Sequence, residues 1–244
     1  NPSSEAPFFA YLPFQAVHIP VQAPQSFIDR YKGVYDDGWE VLRTKRYEAA
    51  QALGLVPENS AMEPMASTES WQNLEPETKR YQAKRMEVYA AMVEAMDFHT
   101  GRLIQHLKNT GHYENTIFIF SSDNGGETNV TSNAPLRGGK SQLYEGGIRV
   151  PMIVRWPRGK LPAGKVCDQP VVNHDFYPTL LEAAGIDADP SQTLDGVSTL
   201  STWRSPELTP KRKALHWHYP LDRPHFLGGI SSGAIREGSW KLIE

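Results

Sequence analysis

Between Glu75 and Gly126 the chain reads as one long amphipathic helix, followed closely by an apolar strand that runs into Asp123, Asn124, Gly125 and Gly126. No other stretch restricts the fold as strongly. The helix opens on Glu75, Pro76 and Glu77, because proline is tolerated in a first turn and acids are favoured there by the helix dipole. Met86, Tyr89, Val93, Met96, Leu103 and Leu107 then recur at three- and four-residue spacing, with Thr100 interrupting the stripe, and Gly111 supplies the C-terminal cap. After a short link, TIFIFSSDNGG at 116–126 is the continuous apolar run expected of a strand in a parallel sheet. Strand, long helix and strand build parallel sheets, and residues 7–12 and 150–156 read as further buried strands. The expectation is an α/β fold with a mostly parallel sheet.

The remaining chain fills in around this unit. Pro13 stops the first strand before a proline-rich loop carrying His18, Pro20 and Pro24. Residues 26–73 are irregular and read as surface excursions, with a short helix over 47–53. Asn173 or Asp175 starts a helix through Pro178, Leu180, Leu181 and Ala184, which Gly185 ends. From Arg204 onward, HWHYP and AIREGSWKLIE alternate like antiparallel strands. This divides the chain into a main domain, 1–205, and the start of a small C-terminal subdomain, 206–244.

Composition removes whole classes of function. A formal net charge of -3 without a basic patch speaks against nucleic acid. No apolar run approaches the roughly eighteen residues of a membrane span. Cys167 is the single cysteine, so no internal disulfide forms. The first residues show neither an initiator Met nor a charged signal region, and the last, SWKLIE, read as a strand without a partner, so a fragment truncated at both ends is expected.

Several residues have the chemistry of a site. In open α/β sheets ligands gather beyond the carboxyl ends of strands, where Asp123 and Asn124 offer hard oxygen donors suited to Ca²⁺ or Mg²⁺. The same residue types are the usual turn formers, and the motif alone does not choose. His18 sits in a stiffened loop after a strand, where a scaffold presents an imidazole to a ligand, although a lone histidine is more often structural. Lys140 lies between Gly138-Gly139 and Gly146-Gly147, an arrangement that lets a cation meet an anionic group and that lacks P-loop spacing. Arg137 and Arg149 are nearby cations with weaker claims. His216, His218 and His225 cluster without any familiar zinc spacing, and His174 precedes a helix; packing is the plain reading of the group, with His218 able to line the entrance of a polar pocket. Neither G-x-S-x-G nor G-x-G-x-x-G is present.

Taken in order, PFFAYLPFQAVHIPVQAP, AMDFHTGRLIQHLKNTG, NTIFIFSSDNGG, PLRGGKSQLYEGGIRVPMIVRWP, DFYPTLLEAAGI, LDGVS and AIREGSWKLIE closely resemble the type I sulfatases of the alkaline-phosphatase-like superfamily, on the arylsulfatase-like branch. The resemblance implies an α/β/α sandwich that hydrolyses sulfate esters with bound Ca²⁺ and a formylglycine nucleophile made within a C/S-x-P/A-x-R motif. It gives Asp123 and Asn124 the role of metal ligands, His18 that of an active-site histidine, and Lys140 that of a sulfate-binding cation. Cys167, in VCDQP, does not lie in such a motif, and the family's early pair of metal-binding aspartates is absent. Both are expected before the point where this chain begins. A phosphonate or phosphate ester hydrolase of the same superfamily, or a non-catalytic anion-binding homologue, are the alternatives. The implied partner is a small-molecule or carbohydrate sulfate ester, and the implied location is periplasmic or secreted, or lysosomal in an animal.

Overall fold

The computed structural model describes residues 6–56, 59–62 and 69–244. Two compact units divide the chain, Asn1–Tyr113 and Glu114–Glu244. The first is helical: α1 (Gln25–Ile28), α2 (Trp39–Ala52) and α3 (Pro76–Asn109), with 3₁₀ turns at Asp29–Tyr31 and Trp71–Asn73. Helix α3 begins at Pro76, as the sequence requires, and ends one turn-residue short of Gly111, which takes φ 75°.

The face that α3 buries differs from the expected stripe. Ala83, Glu87 and Ala91, spaced four apart, are buried together with Met92 and Leu107, whereas Tyr89 and Val93 are exposed. Small residues win because they admit two clusters close to the helix backbone: Phe27 and Ile28 against Ala91, and Tyr35 and Trp71 against Ala83. The described part of segment 26–73 is therefore not a set of surface excursions, since it supplies Phe27, Ile28, Tyr35 and Trp71 to the core; residues 57–58 and 63–68 lie outside the described residues. The expected short helix over 47–53 is the last part of α2, which already starts at Trp39. Just before it, Gly38 takes φ 88°, and a Cβ there would run into the Trp71 ring. Residues 7–12 are not a strand: they carry no regular structure, and Phe9 and Tyr11 are exposed. An apolar run becomes a strand only beside a backbone partner, and no described strand pairs with this one.

Burial alone would raise the Glu87 carboxyl. The Lys84 ammonium at 2.7 Å, the Gly33 N–H at 2.9 Å and the charge of Lys32 outweigh it, so the group sits below the usual glutamate range.

The second unit contains β1 (Phe118–Ser121), α4 (Glu145–Ile148), β2 (Met152–Arg155), α5 (Phe176–Ala184), α6 (Leu200–Arg204), β3 (Leu215–Tyr219), β4 (Ser232–Glu237) and β5 (Trp240–Ile243). Strands β1 and β2 pair antiparallel, with Phe118 opposite Arg155 and Ser121 opposite Met152. Parallel pairing was expected, yet every described strand pair is antiparallel. The cause lies in the connection: β1 and β2 are joined by a glycine-rich loop with a single helical turn, α4, and no crossover helix reverses the chain. Strands β3, β4 and β5 form the antiparallel sheet anticipated at the C-terminal end, with His218 opposite Gly233 and Ala234 opposite Ile243.

Helix α5 ends at Gly185 in the left-handed conformation, φ 67°. At its other end Asp175, fully buried, accepts two hydrogen bonds from the fork of Arg212, both at 2.7 Å, and one each from the N–H groups of Val172 (2.9 Å) and Val197 (3.1 Å). Arg212 also donates to the Pro170 carbonyl at 2.9 Å. This clamp ties the segment before β3 to the loops on either side of α5.

Candidate active site

The three glycine pairs are packing devices. A Cβ on Gly125 would overlap the Gly146 carbonyl oxygen, one on Gly146 would overlap that of Gly138, and one on Gly139 would overlap that of Gly126. Absent side chains let three backbone segments touch. They are stitched by hydrogen bonds from Gly125 N to Gly147 O (2.9 Å), Lys140 N to Gly126 O (3.1 Å) and Gly146 N to Arg137 O (2.8 Å). Asn133 braces the same place: its Nδ2 donates to Gly126 O (2.9 Å) and Gly138 O (3.1 Å), and its Oδ1 accepts from Gly126 N at 3.0 Å. The motif after β1 and the loop carrying Lys140 are thus one assembly.

Asp123 is exposed and Asn124 half-buried at the end of β1. The Asn124 amide donates Nδ2–H to Asp123 Oδ2 at 2.7 Å, leaving its oxygen uncommitted to that pair. Both line an open trough of about 1580 Å³ in the second unit, together with Lys140 and His218. His218 is exposed on β3, where burial alternates with strand period, and His216 and His225 line the same trough. Four of the five residues singled out from the sequence thus line this one trough. The fifth, His18, belongs to the first unit. It is exposed, and its Nδ1 lies 2.8 Å from the Ile19 carbonyl, which fixes that nitrogen as the donor. Arg137 stacks its guanidinium over the Tyr144 ring at 4.0 Å, while Arg149 reaches the trough. Cys167 is exposed on the trough wall, with its thiol 3.4 Å from the Pro206 carbonyl.

Sequence reasoning missed Asn133, Gln142 and Lys241, which hold the loop; of the three, Gln142 also lines the trough. Asn133 stands just before Ala134-Pro135 and has the look of a turn residue. Lys241 is nearly a hundred positions from the carbonyl it binds, so no local spacing marks it.

Among the described residues no cluster of three or more His, Cys, Asp and Glu is present. Asp123 and Asn124 fit a hard dication by donor type, and two donors make only part of the six to eight oxygens that Ca²⁺ takes.

The sulfatase family matches residues 1–186, and the family described as N-sulphoglucosamine sulphohydrolase, C-terminal, matches 139–244. An uncharacterized sulfatase of Schizosaccharomyces pombe is 34% identical, over 100% of this chain and 50% of its own length. The arylsulfatase of Klebsiella aerogenes is 33% identical, over 77% of this chain and 48% of its own. The chain thus spans about half the length of these curated relatives. A solved Bacteroides thetaiotaomicron structure, from glycosaminoglycan metabolism, aligns over 93% of this chain and 42% of its own with a TM-score of 0.56 at 21% identity, a likeness that speaks for the shared α/β fold alone. Family match, curated relatives and fold agree, and the chain belongs to the sulfatase family.

Proposed function

We propose that the parent protein is a sulfuric ester hydrolase that removes sulfate from an aryl or carbohydrate sulfate ester, with Ca²⁺ and with a formylglycine nucleophile outside these residues. The observation that carries the reading is the convergence of Asp123, Asn124 and Lys140 on one trough in a chain of the sulfatase family. Asp123, through its carboxylate, and Asn124, through its amide oxygen, would hold part of the metal shell. Bound there, the dication supplies positive charge to the ester oxygens and to the nucleophile.

The chain's own residues divide the remaining work. Lys140 pairs its ammonium with a sulfate oxygen and stabilises the charge that grows there as the S–O bond breaks, so it favours the transition state over the ground state. His18 holds a proton for the leaving oxygen. Its Nδ1–H is committed to the Ile19 carbonyl, so a proton handed over would leave from Nε2. His218 contacts the substrate beyond its sulfate, from the β3 wall of the trough.

Residues 206–244 start a C-terminal subdomain, a reading supported by the three-stranded sheet that they contain. No described helix is long and apolar enough to cross a membrane. The location we infer is periplasmic or secreted, or lysosomal in an animal source.

The test is a matched panel of aryl sulfate, sulfated saccharide, aryl phosphate and aryl phosphonate offered to the matured full-length protein. Sulfate release supports the reading. Cleavage of the phosphate or phosphonate alone replaces it with phosphoryl transfer, and sulfate binding without any turnover makes the protein a non-catalytic homologue.

A further inference from the structure

We propose that Lys241, on β5, is a positioning residue for Lys140: it holds the strained loop that aims the ammonium of Lys140 into the trough. The inference rests on the anion-binding role assigned to Lys140 above. Lys241 does not itself line the trough.

Three contacts carry it. The Lys241 ammonium donates to the Leu143 carbonyl and to Glu145 Oε1 at 2.9 Å, and it sits 5.3 Å from the centre of the Trp217 ring. Its side chain is 13% exposed and that of Glu145 32%, so the ion pair is partly shielded from solvent and is screened by salt less than a surface pair. Beside it, Gln142 Nε2 donates to the Leu227 carbonyl at 3.3 Å, and the backbone of Gly229 lies against Ser141 closely enough that a Cβ would strike the Ser141 carbonyl oxygen. Residues 141, 142, 143 and 145 are thus gripped from β5 and from the connection between β3 and β4, immediately after Lys140.

The grip has something to resist. Ser141 takes φ 71°, a left-handed conformation that a residue with a Cβ avoids, and its hydroxyl is buried without a hydrogen-bond partner among the described residues. Neither feature stabilises the loop locally. Such strain persists only where the surroundings over-determine it. On its other side Lys140 is anchored by its own N–H to Gly126 O, at 3.1 Å, on the segment bearing Asp123 and Asn124. The loop is therefore stretched between the candidate metal ligands and the C-terminal sheet, with Lys140 at the taut point. Removing the Lys241 ammonium leaves the carbonyl of buried Leu143 and the Glu145 carboxylate without this donor, and Ser141 is free to relax. Lys140 then moves with it.

The experiment is a double-mutant cycle in the matured full-length protein, read by sulfate release and, independently, by titration with inorganic sulfate. Lys241→Met is expected to lower kcat/KM and to weaken sulfate binding by about tenfold or more, in line with the cost of displacing a positioned group. In a Lys140→Ala background the same substitution changes either readout by less than about twofold, because its effect passes through Lys140. The loss of thermal stability, in contrast, is the same in both backgrounds. Should Lys241→Met fail to fold, Glu145→Gln enters the same cycle, with a smaller loss and the same dependence on Lys140. Equal fractional losses with and without Lys140 overturn the proposal. If the wild type cleaves no sulfate ester, the reaction proposed above falls, while the sulfate titration still decides the role of Lys241. If the wild type binds no sulfate, both fall.

Discussion

Replacing Arg212 by methionine isolates the one fully buried carboxylate of the second unit. Asp175 is 0% exposed and takes two of its four hydrogen bonds from the Arg212 fork, so the substitution leaves it with only the Val172 and Val197 N–H groups. The partner's size is nearly preserved. What is lost is the charge that made burial of the carboxylate tolerable, and breaking one side of a buried pair costs about 3–5 kcal/mol. At roughly 2–4 °C per kcal/mol for a chain of 150–250 residues, the midpoint falls by about 6–20 °C. Arg212→Lys keeps the charge but cannot make the paired bonds, and so costs less than methionine, about 1–3 kcal/mol. The assay is denaturant unfolding of wild type and both variants at neutral pH, with midpoint and slope fitted separately. A methionine variant within about 1 kcal/mol of wild type would refute the reasoning, because no buried carboxylate stripped of its partner is that cheap.

Other perturbations follow from the same geometry. Gly125→Ala places a methyl on the Gly146 carbonyl and should cost about 1–3 kcal/mol. Because the clash separates the Asp123-Asn124 edge from the Lys140 loop, sulfate release should fall by about 100-fold, as steady-state kinetics would show. Gly38→Ala meets both a positive φ of 88° and the Trp71 ring, so thermal melts should show a loss of at least about 1 kcal/mol. Glu87 has a folded-state pKa below its unfolded value, so its contribution is present above about pH 4.3 and is lost as pH falls through the lower folded value. Glu87→Gln should therefore cost about 1.5 kcal/mol at pH 7, with the gap to wild type closing below about pH 4, as unfolding curves across pH would show.

How much of this was legible depended on whether the signal was local. Helix α3 announces itself through Glu75-Pro76-Glu77 and its apolar period, and α5 through Gly185, because caps and periodicity are set within a few residues. The buried face of α3 was not legible, since alanines and a glutamate become core only when Phe27 and Tyr35 arrive from far upstream and Trp71 folds back from just before the helix. The run at 7–12 has a strand's composition and lacks a strand's partner. Asp123, Asn124 and Lys140 stand out in the sequence because strand-end donors and a lysine between glycine pairs are unusual in themselves, and all three line the trough. The reason for the glycines was not visible: they read as freedom around a cation, and they prove to be close backbone contacts that fix it. The Asp175–Arg212 clamp and the grip of Lys241 join residues 37 and nearly a hundred positions apart, and no spacing rule reaches that far.

The account turns on a dication held partly by Asp123 and Asn124 beside Lys140, acting on a sulfate ester. Its most direct measurement is a calorimetric Ca²⁺ titration of the chelator-stripped, matured full-length protein and of Asp123→Ala, with sulfate release followed in parallel. The account predicts that the wild type binds Ca²⁺ and regains sulfatase activity as the site fills, while the variant loses both. Sulfate release that survives stripping, or Ca²⁺ binding unchanged by Asp123→Ala, would contradict it.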